Sequence, residues 1–337
     1  MRRLLLLLTL ASCAPEAPPS PPPEAPARAI PDAPPPAVAA LVGEYGNGAD
    51  TLSVLERDGG LRLLAWGGAD VALERLSDSV FLAGAADTVR VAWAEGRALS
   101  LGRGGRPFER LALGAEDGGT FRIVPLRPAA ELLAEALASS PPLEEGDFLE
   151  SDLVELVTLD STIRLDVRYA STNNFMGEVF YSQARAFLQR PAAEALVRAH
   201  RWLAERGYGL LIHDGYRPWY VTKMFWEATP EALRVFVADP SQGSRHNRGC
   251  AVDLTLYDRA TGEPVLMPSG YDEMSPRAYP DYPGGTARQR WHRELLREAM
   301  EAQGFTVYEA EWWHFDYQDW RRYRIGNLRF EELGARR

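Results

Sequence analysis

Between residues 39 and 125 apolar and polar positions alternate in short runs broken by tight-turn sequences. Residues 52–56 and 61–66 flank Arg57-Asp58-Gly59-Gly60, and residues 89–93 and 98–101 flank Glu95-Gly96-Arg97. Each pair predicts a β-hairpin, because glycine accepts the positive φ that a tight turn needs between strands of period two. With Gly43-Glu44-Tyr45 before them and Phe108-Glu109-Arg110-Leu111 after, these strands predict a small barrel or sandwich. Farther along, the hydrophobic period lengthens to that of helices. Residues 191–206 put Ala195, Leu196, Ala199, Trp202 and Leu203 on one stripe, with Pro191 at the start and Gly207 just past the end. Residues 286–303 do the same with Trp291, Leu295, Leu296 and Met300, closed by Gly304. Residues 209–213, 250–257 and 305–315 read as strands. The mixture predicts an α+β domain, a mixed or antiparallel sheet with flanking helices, preceded by a small all-β domain. A helical stretch at 129–138 and Ser139-Ser140-Pro141-Pro142 mark the join. The division is an all-β unit over 39–125, a connector over 126–149 and the α+β domain over 150–337.

The first residues do not fit either domain. Met1-Arg2-Arg3 is followed by the apolar run from Leu4 to Leu8, then Leu10-Ala11-Ser12-Cys13. The run is too short to span a bilayer and reads as an export signal over residues 1–13. Its end resembles the lipobox of bacterial lipoproteins, which implies that Cys13 is lipidated and becomes the new N-terminus. A plain secretory signal with an incidental cysteine is the alternative. Residues 14–38 are dense in Pro, Ala and Glu, a composition that favours extended polyproline II and serves as a semi-rigid spacer. The expected location is the cell envelope, with the membrane reached through the lipid anchor only.

Composition narrows the partners. An apolar fraction of 46% and a charged fraction of 25% are those of ordinary globular protein. The formal charge of −10, with no basic stripe, argues against a nucleic-acid partner. Two Cys and five His exclude a disulfide scaffold and an array of zinc fingers, and leave room for one small metal site. With Cys13 lipidated, Cys250 remains as a buried small side chain. The all-β unit contains no His and no cluster of acids at ligand spacing, so it reads as an accessory domain.

The chemistry lies in the second domain. In the run from Ser244 to Asp253 a loop His246 precedes Asp253 by seven residues. Along residues 250–257, Val252, Leu254 and Leu256 fit a core face, so Asp253 and Thr255 share the other. A carboxylate there is costly to bury unless it is paired or binds a metal. A second cluster is Glu311-Trp312-Trp313-His314. Its two polar ends fall on opposite faces of a regular strand, so both serve one site only if the strand bends or ends there. His246, Asp253 and His314 then make a His2Asp set with one position open, the layout of a catalytic rather than a structural zinc site. His200 and His292 lie within amphipathic helices and His213 ends an apolar strand, so all three read as packing or surface residues rather than ligands.

Residues 151 to about 320 resemble the VanX-type zinc D-alanyl-D-alanine dipeptidases, within a wider D,D-peptidase group that shares S-x-H-x-x-G-x-x-x-D and E-x-x-H signatures. Five blocks carry the resemblance in order: the run from Arg168 to Gly177, Asp214-Gly215-Tyr216-Arg217-Pro218, the run from Ser244 to Tyr257, Gly270-Tyr271-Asp272, and the run from Glu311 to His314. It implies that His246, Asp253 and His314 hold one Zn2+ and that Glu311 is the catalytic carboxylate. Arg217 corresponds to the arginine that stabilises the transition state. Asp272 corresponds to the carboxylate that holds the substrate's free ammonium, with Ser244 lining the same region. Tyr271 stands where Phe is frequent. The implied reaction is hydrolysis of the small D,D-dipeptide by metal-activated water, for wall turnover, nutrient recovery or glycopeptide tolerance. A D,D-carboxypeptidase or other murein peptidase with the same centre is the nearest alternative. A zinc-stabilised binding module is a further one, against which Glu311 and Arg217 argue. Oligomeric state is not legible in the sequence.

Overall fold

The computed structural model describes residues 29–65, 68–113 and 120–333. Residues 1–13 with Cys13, most of the proline-rich tract, and Trp66 lie outside the described residues. Residues 31–337 form one compact unit. After a single helical turn, α1 (Pro36–Ala39), eight strands follow: β1 (Gly43–Gly46), β2 (Thr51–Arg57), β3 (Gly60–Ala65), β4 (Val71–Arg75), β5 (Val80–Ala83), β6 (Asp87–Ala94), β7 (Arg97–Arg103) and β8 (Arg106–Arg110). Each pairs antiparallel with the next, and β1 pairs with β8 through Tyr45↔Arg110, so the sheet closes into a barrel. The β2–β3 turn is Asp58-Gly59 and the β6–β7 turn is Glu95-Gly96, with φ positive at all four residues. Two-residue loops of that kind match the twist of antiparallel strands, which is why the polar-glycine pairs set both hairpins. Inward-facing residues such as Tyr45, Val54, Leu63, Phe81, Val89 and Leu101 fill the barrel.

Beyond α2 (Ala129–Ala138) the second domain opens with β9 (Leu153–Glu155), the short α3 (Leu156–Leu159) and β10 (Arg164–Leu165). Then come β11 (Phe187–Gln189), α4 (Arg190–Ala204), β12 (Tyr208–Asp214), α5 (Trp219–Ala228), β13 (Ala251–Asp258), α6 (Ala287–Glu301), β14 (Phe305–Tyr308) and β15 (Glu311–Tyr317). The main sheet has the order β10-β12-β13-β15-β14. Only β10–β12 is parallel, so the sheet is mixed. β9 and β11 form a separate antiparallel pair. Helices α4 and α6 pack against the sheet and each other, burying Leu196, Leu203, Leu296 and Met300 with Val252, Leu254 and Leu256 in one core. Thr286 caps α6 with a reciprocal Thr–Gln box, its side chain accepting from Gln289.

One expectation needs correction. Residues 305–315 are not a single strand but the hairpin β14–β15, turning at Glu309-Ala310. Its register slips between Val307↔Phe315 and Tyr308↔Glu311, so the run from Trp312 to His314 bulges outward at the start of β15. Regular strand alternation therefore does not separate Glu311 from His314.

Candidate active site

β13 and β15 pair so that Asp253 stands directly opposite His314. A bulge at His213 sets Asp214, the last residue of β12, against Asp253 from the other side. His246 enters from the 3-10 turn His246–Arg248, which Gly249 closes in the left-handed region with φ 68. The left-handed conformation favours glycine, and a Cβ on Gly249 would lie 2.5 Å from Leu153 Cδ2, which would have to move. His246 Nε2 lies 3.3 Å from Asp253 Oδ1, His314 Nδ1 lies 3.0 Å from the same oxygen, and the two nitrogens are 3.1 Å apart.

The outer atoms of both rings fix their tautomers. His246 Nδ1–H donates to the Gly215 carbonyl at 2.7 Å. His314 Nε2–H donates to Asp316 at 2.9 Å, and Asp316 is itself paired with Arg245 at 3.2 Å. Each ring thus presents a bare nitrogen lone pair inward. Asp253 Oδ1, facing both, is buried without a hydrogen bond, while Oδ2 accepts from the Tyr271 hydroxyl at 2.9 Å and lies 3.4 Å from Arg217 Nη2. Three lone pairs converging on one point repel unless a cation sits among them. Their separations match the edges of a tetrahedron, about 3.3–3.4 Å for zinc bonds of about 2.0–2.1 Å. The three residues form a buried group able to hold a metal ion, and the donor set fits zinc.

The remaining expected residues line the same cavity of about 590 Å³. Glu311 Oε2 lies 3.7 Å from His314 Nδ1. Burial pushes its carboxyl up to about 8, with Asp253 and Asp272 adding to the effect against His314 and Arg217. Asp272 has φ 59, and burial, aided by Asp253, pushes it up to about 7. Its Oδ1 accepts from the Tyr169 hydroxyl at 2.9 Å, and its Oδ2 is buried with no partner. Arg217 Nε donates to Asp214 at 2.8 Å. Burial opposes its charge, but Asp214 and its other anionic neighbours hold it protonated. Ser244 Oγ accepts from the His246 N–H at 3.2 Å, and Asn247 ties this loop to the Arg217 carbonyl at 2.8 Å.

Several groups at the site escape a reading of sequence. Asp214 is no mere turn residue: its Oδ1 accepts from the Tyr181 hydroxyl at 2.8 Å while Oδ2 fixes Arg217. Asp316 orients His314, and Tyr271 orients Asp253. Asp316 carried a usable signal, being two residues from His314 on the same strand face; Tyr181 carried none. His200, His213 and His292 sit elsewhere. His200 accepts from the Leu210 N–H, His213 stacks on Tyr271 with ring centroids 4.5 Å apart, and His292 contacts the Leu266 carbonyl. Cys250 is buried and its thiol is pushed up to about 12 by burial.

Residues 150–327 match the family model described as D-ala-D-ala dipeptidase, more than half of the chain. The chain belongs to the D-Ala-D-Ala dipeptidase family. It is 35% identical over 166 residues to the D-alanyl-D-alanine dipeptidase of Escherichia coli strain K12, covering 49% of this chain and 84% of that protein. It is 36% identical over 178 residues to that of Enterococcus faecium, covering 47% of this chain and 87% of the relative. With the Streptomyces coelicolor D-alanyl-D-alanine dipeptidase the figures are 36% over 192 residues, 52% and 93%. This D-Ala-D-Ala dipeptidase family member is thus a VanX-type metallopeptidase. The barrel, over 43–110, lies outside the matched residues.

Proposed function

We propose that this enzyme is a zinc-dependent dipeptidase that hydrolyses D-alanyl-D-alanine in the cell envelope, tethered through lipidated Cys13. The observation that carries the reading is one cavity lined by His246, Asp253 and His314 together with Glu311, Arg217 and Asp272. Zinc at the three lone pairs would lower the pKa of water toward about 7 and polarise the scissile carbonyl. A cation held beside Glu311 would favour its carboxylate form, in which it takes the proton from the attacking water and delivers it to the leaving amine. Arg217, held by Asp214, offers a fixed cation to the oxyanion that develops, worth about 3–4 kcal/mol for a donor of this kind. The free Oδ2 of Asp272 receives the substrate's ammonium; a buried carboxylate oxygen with no partner in the protein is stabilised by such a cation. Ser244 braces the His246 loop at the same wall.

The test is amine release by the full chain from D-Ala-D-Ala, N-acetyl-D-Ala-D-Ala and L-Ala-L-Ala, with chelator and with zinc restored. The expected result is cleavage of the free D,D-dipeptide alone, lost with chelator and regained with zinc. Cleavage of the N-blocked peptide at a comparable rate would instead establish a D,D-carboxypeptidase. Bound zinc without turnover of any of the three would establish a binding module.

A further inference from the structure

Among the described residues the barrel contributes no side chain to the cavity of the catalytic site, yet two of its buried acids reach into the catalytic domain. Glu44 on β1 accepts from Ser53 within the barrel and from the Tyr282 hydroxyl across the boundary. Glu56 on β2 accepts from the Ala287 N–H at 2.8 Å, donates its own N–H to the Gly285 carbonyl at 3.1 Å, and accepts at its carbonyl from Arg290 at 2.7 Å. These acids are 6% and 3% exposed. Carboxylates so deeply buried require partners: one oxygen of each is met within the barrel, by Ser53 and by the Gly59 N–H, and the other by Tyr282 and by the Ala287 N–H of the catalytic domain.

That stretch ends the long connection between β13 and α6, and the same connection carries Asp272. Its regular structure between residues 268 and 286 is one 3-10 turn, Pro276–Ala278, so little repetitive hydrogen bonding holds it. Side chains do the holding. Arg277 Nε lies 3.2 Å from Glu273, which is fully buried beside Asp272, and Arg277 Nη2 donates to the Pro268 carbonyl at 3.1 Å. Ser275 Oγ donates to Glu273 at 2.6 Å. Asp272, with φ 59, adopts a conformation uncommon for a residue with a Cβ, one that persists only where its surroundings hold it.

We propose that the barrel is a positioning module for substrate binding: through Glu44 and Glu56 it clamps the 268–286 connection and so keeps Asp272 aimed at the substrate's ammonium. The inference rests on the reading of Asp272 as the amine anchor. It gives an accessory domain outside the family match a part in the reaction without a residue in the cavity.

The test uses the full chain with Tyr282→Phe, Glu56→Ala and both together. The readouts are KM and kcat for D-Ala-D-Ala, zinc content, and amide hydrogen exchange across 268–286. In the double variant KM should rise about tenfold with kcat within about twofold, as expected when an anchor is misplaced but the reacting groups are not. Zinc content should hold and exchange across 268–286 should quicken. Arg75→Ala, which removes an exposed ion pair within the barrel, should leave KM as it is. Asp272→Asn separates the two readings. If it raises KM while the double variant changes neither KM nor exchange, the clamp is overturned and the anchor stands. If it leaves KM unchanged, the anchor falls and the clamp's link to substrate falls with it. Should the double variant fail to fold, Tyr282→Phe alone, which deletes a single oxygen, must still raise KM and quicken exchange, or the clamp is overturned.

Discussion

Three lone pairs face one point because three other groups hold their owners in place: the Gly215 carbonyl on His246, Asp316 on His314 and Tyr271 on Asp253. The last of these is the easiest to remove cleanly. Tyr271→Phe deletes the hydroxyl that occupies Asp253 Oδ2 and leaves the ring stacked on His213 and packed on Trp313. Zinc affinity, read by competition with a chelator of known strength, should fall about tenfold or more, in the range seen when such outer partners of metal ligands are lost. An affinity equal to that of the unsubstituted protein would show that Asp253 is held without the hydroxyl. The contrast between these two sets of residues shows what sequence can yield. His246, Asp253 and His314 are visible in it because a loop histidine, a strand acid on the non-core face and a second histidine are unusual together. Tyr271 and Asp214 are not, because a hydroxyl or a turn acid gains meaning only when a fold brings it beside a distant partner.

At the scale of elements, local rules set the local structure well. Asp58-Gly59 and Glu95-Gly96 name their hairpins, and Thr286 and Gly304 bracket α6. The segment 305–317 misleads because no glycine or proline marks its turn at Glu309-Ala310; pairing of β15 with β13 holds that turn instead. A mixed sheet was among the expectations, but its strand order was out of reach, since the parallel pair β10–β12 joins residues far apart in the chain. Gly249 shows how an element's end can matter to the site. It terminates the His246 turn with positive φ, and Leu153 and Gln189 fill the space where a Cβ would stand. Gly249→Ala should destabilise the fold by about 1–3 kcal/mol, the usual range for left-handed strain plus overpacking. It should also weaken zinc binding, since the loop carrying His246 must shift. Thermal melting with a zinc titration checks both; a melt and an affinity unaltered by the substitution would mean that Leu153 yields freely.

For the whole molecule, we propose that a signal over residues 1–13 and a spacer over 14–38 precede the barrel and the peptidase, and location determines which peptides reach the cavity. No helix among the described residues is long and apolar enough to cross a membrane. Our assignment to the envelope rests on Arg2 and Arg3, the short apolar run and Leu10-Ala11-Ser12-Cys13. An acylated cysteine gives lasting attachment only when more than one chain inserts, because a single acyl chain binds membranes weakly and reversibly. In this proposal the proline-rich tract is the spacer between the folded unit and the bilayer, a role that suits its composition. Cys13→Ala removes the acceptor and leaves the charged and apolar parts of the signal in place. Expressed from its own start in a bacterium that processes lipoproteins, the unsubstituted protein should fractionate with membranes and carry a lipid mass on its N-terminal peptide. The variant should lose both while retaining dipeptidase activity, since Cys13 lies far outside the matched catalytic residues. An unsubstituted protein recovered in the soluble fraction with Cys13 unmodified would instead make residues 1–13 a plain secretory signal, and the enzyme a freely diffusing scavenger of dipeptide.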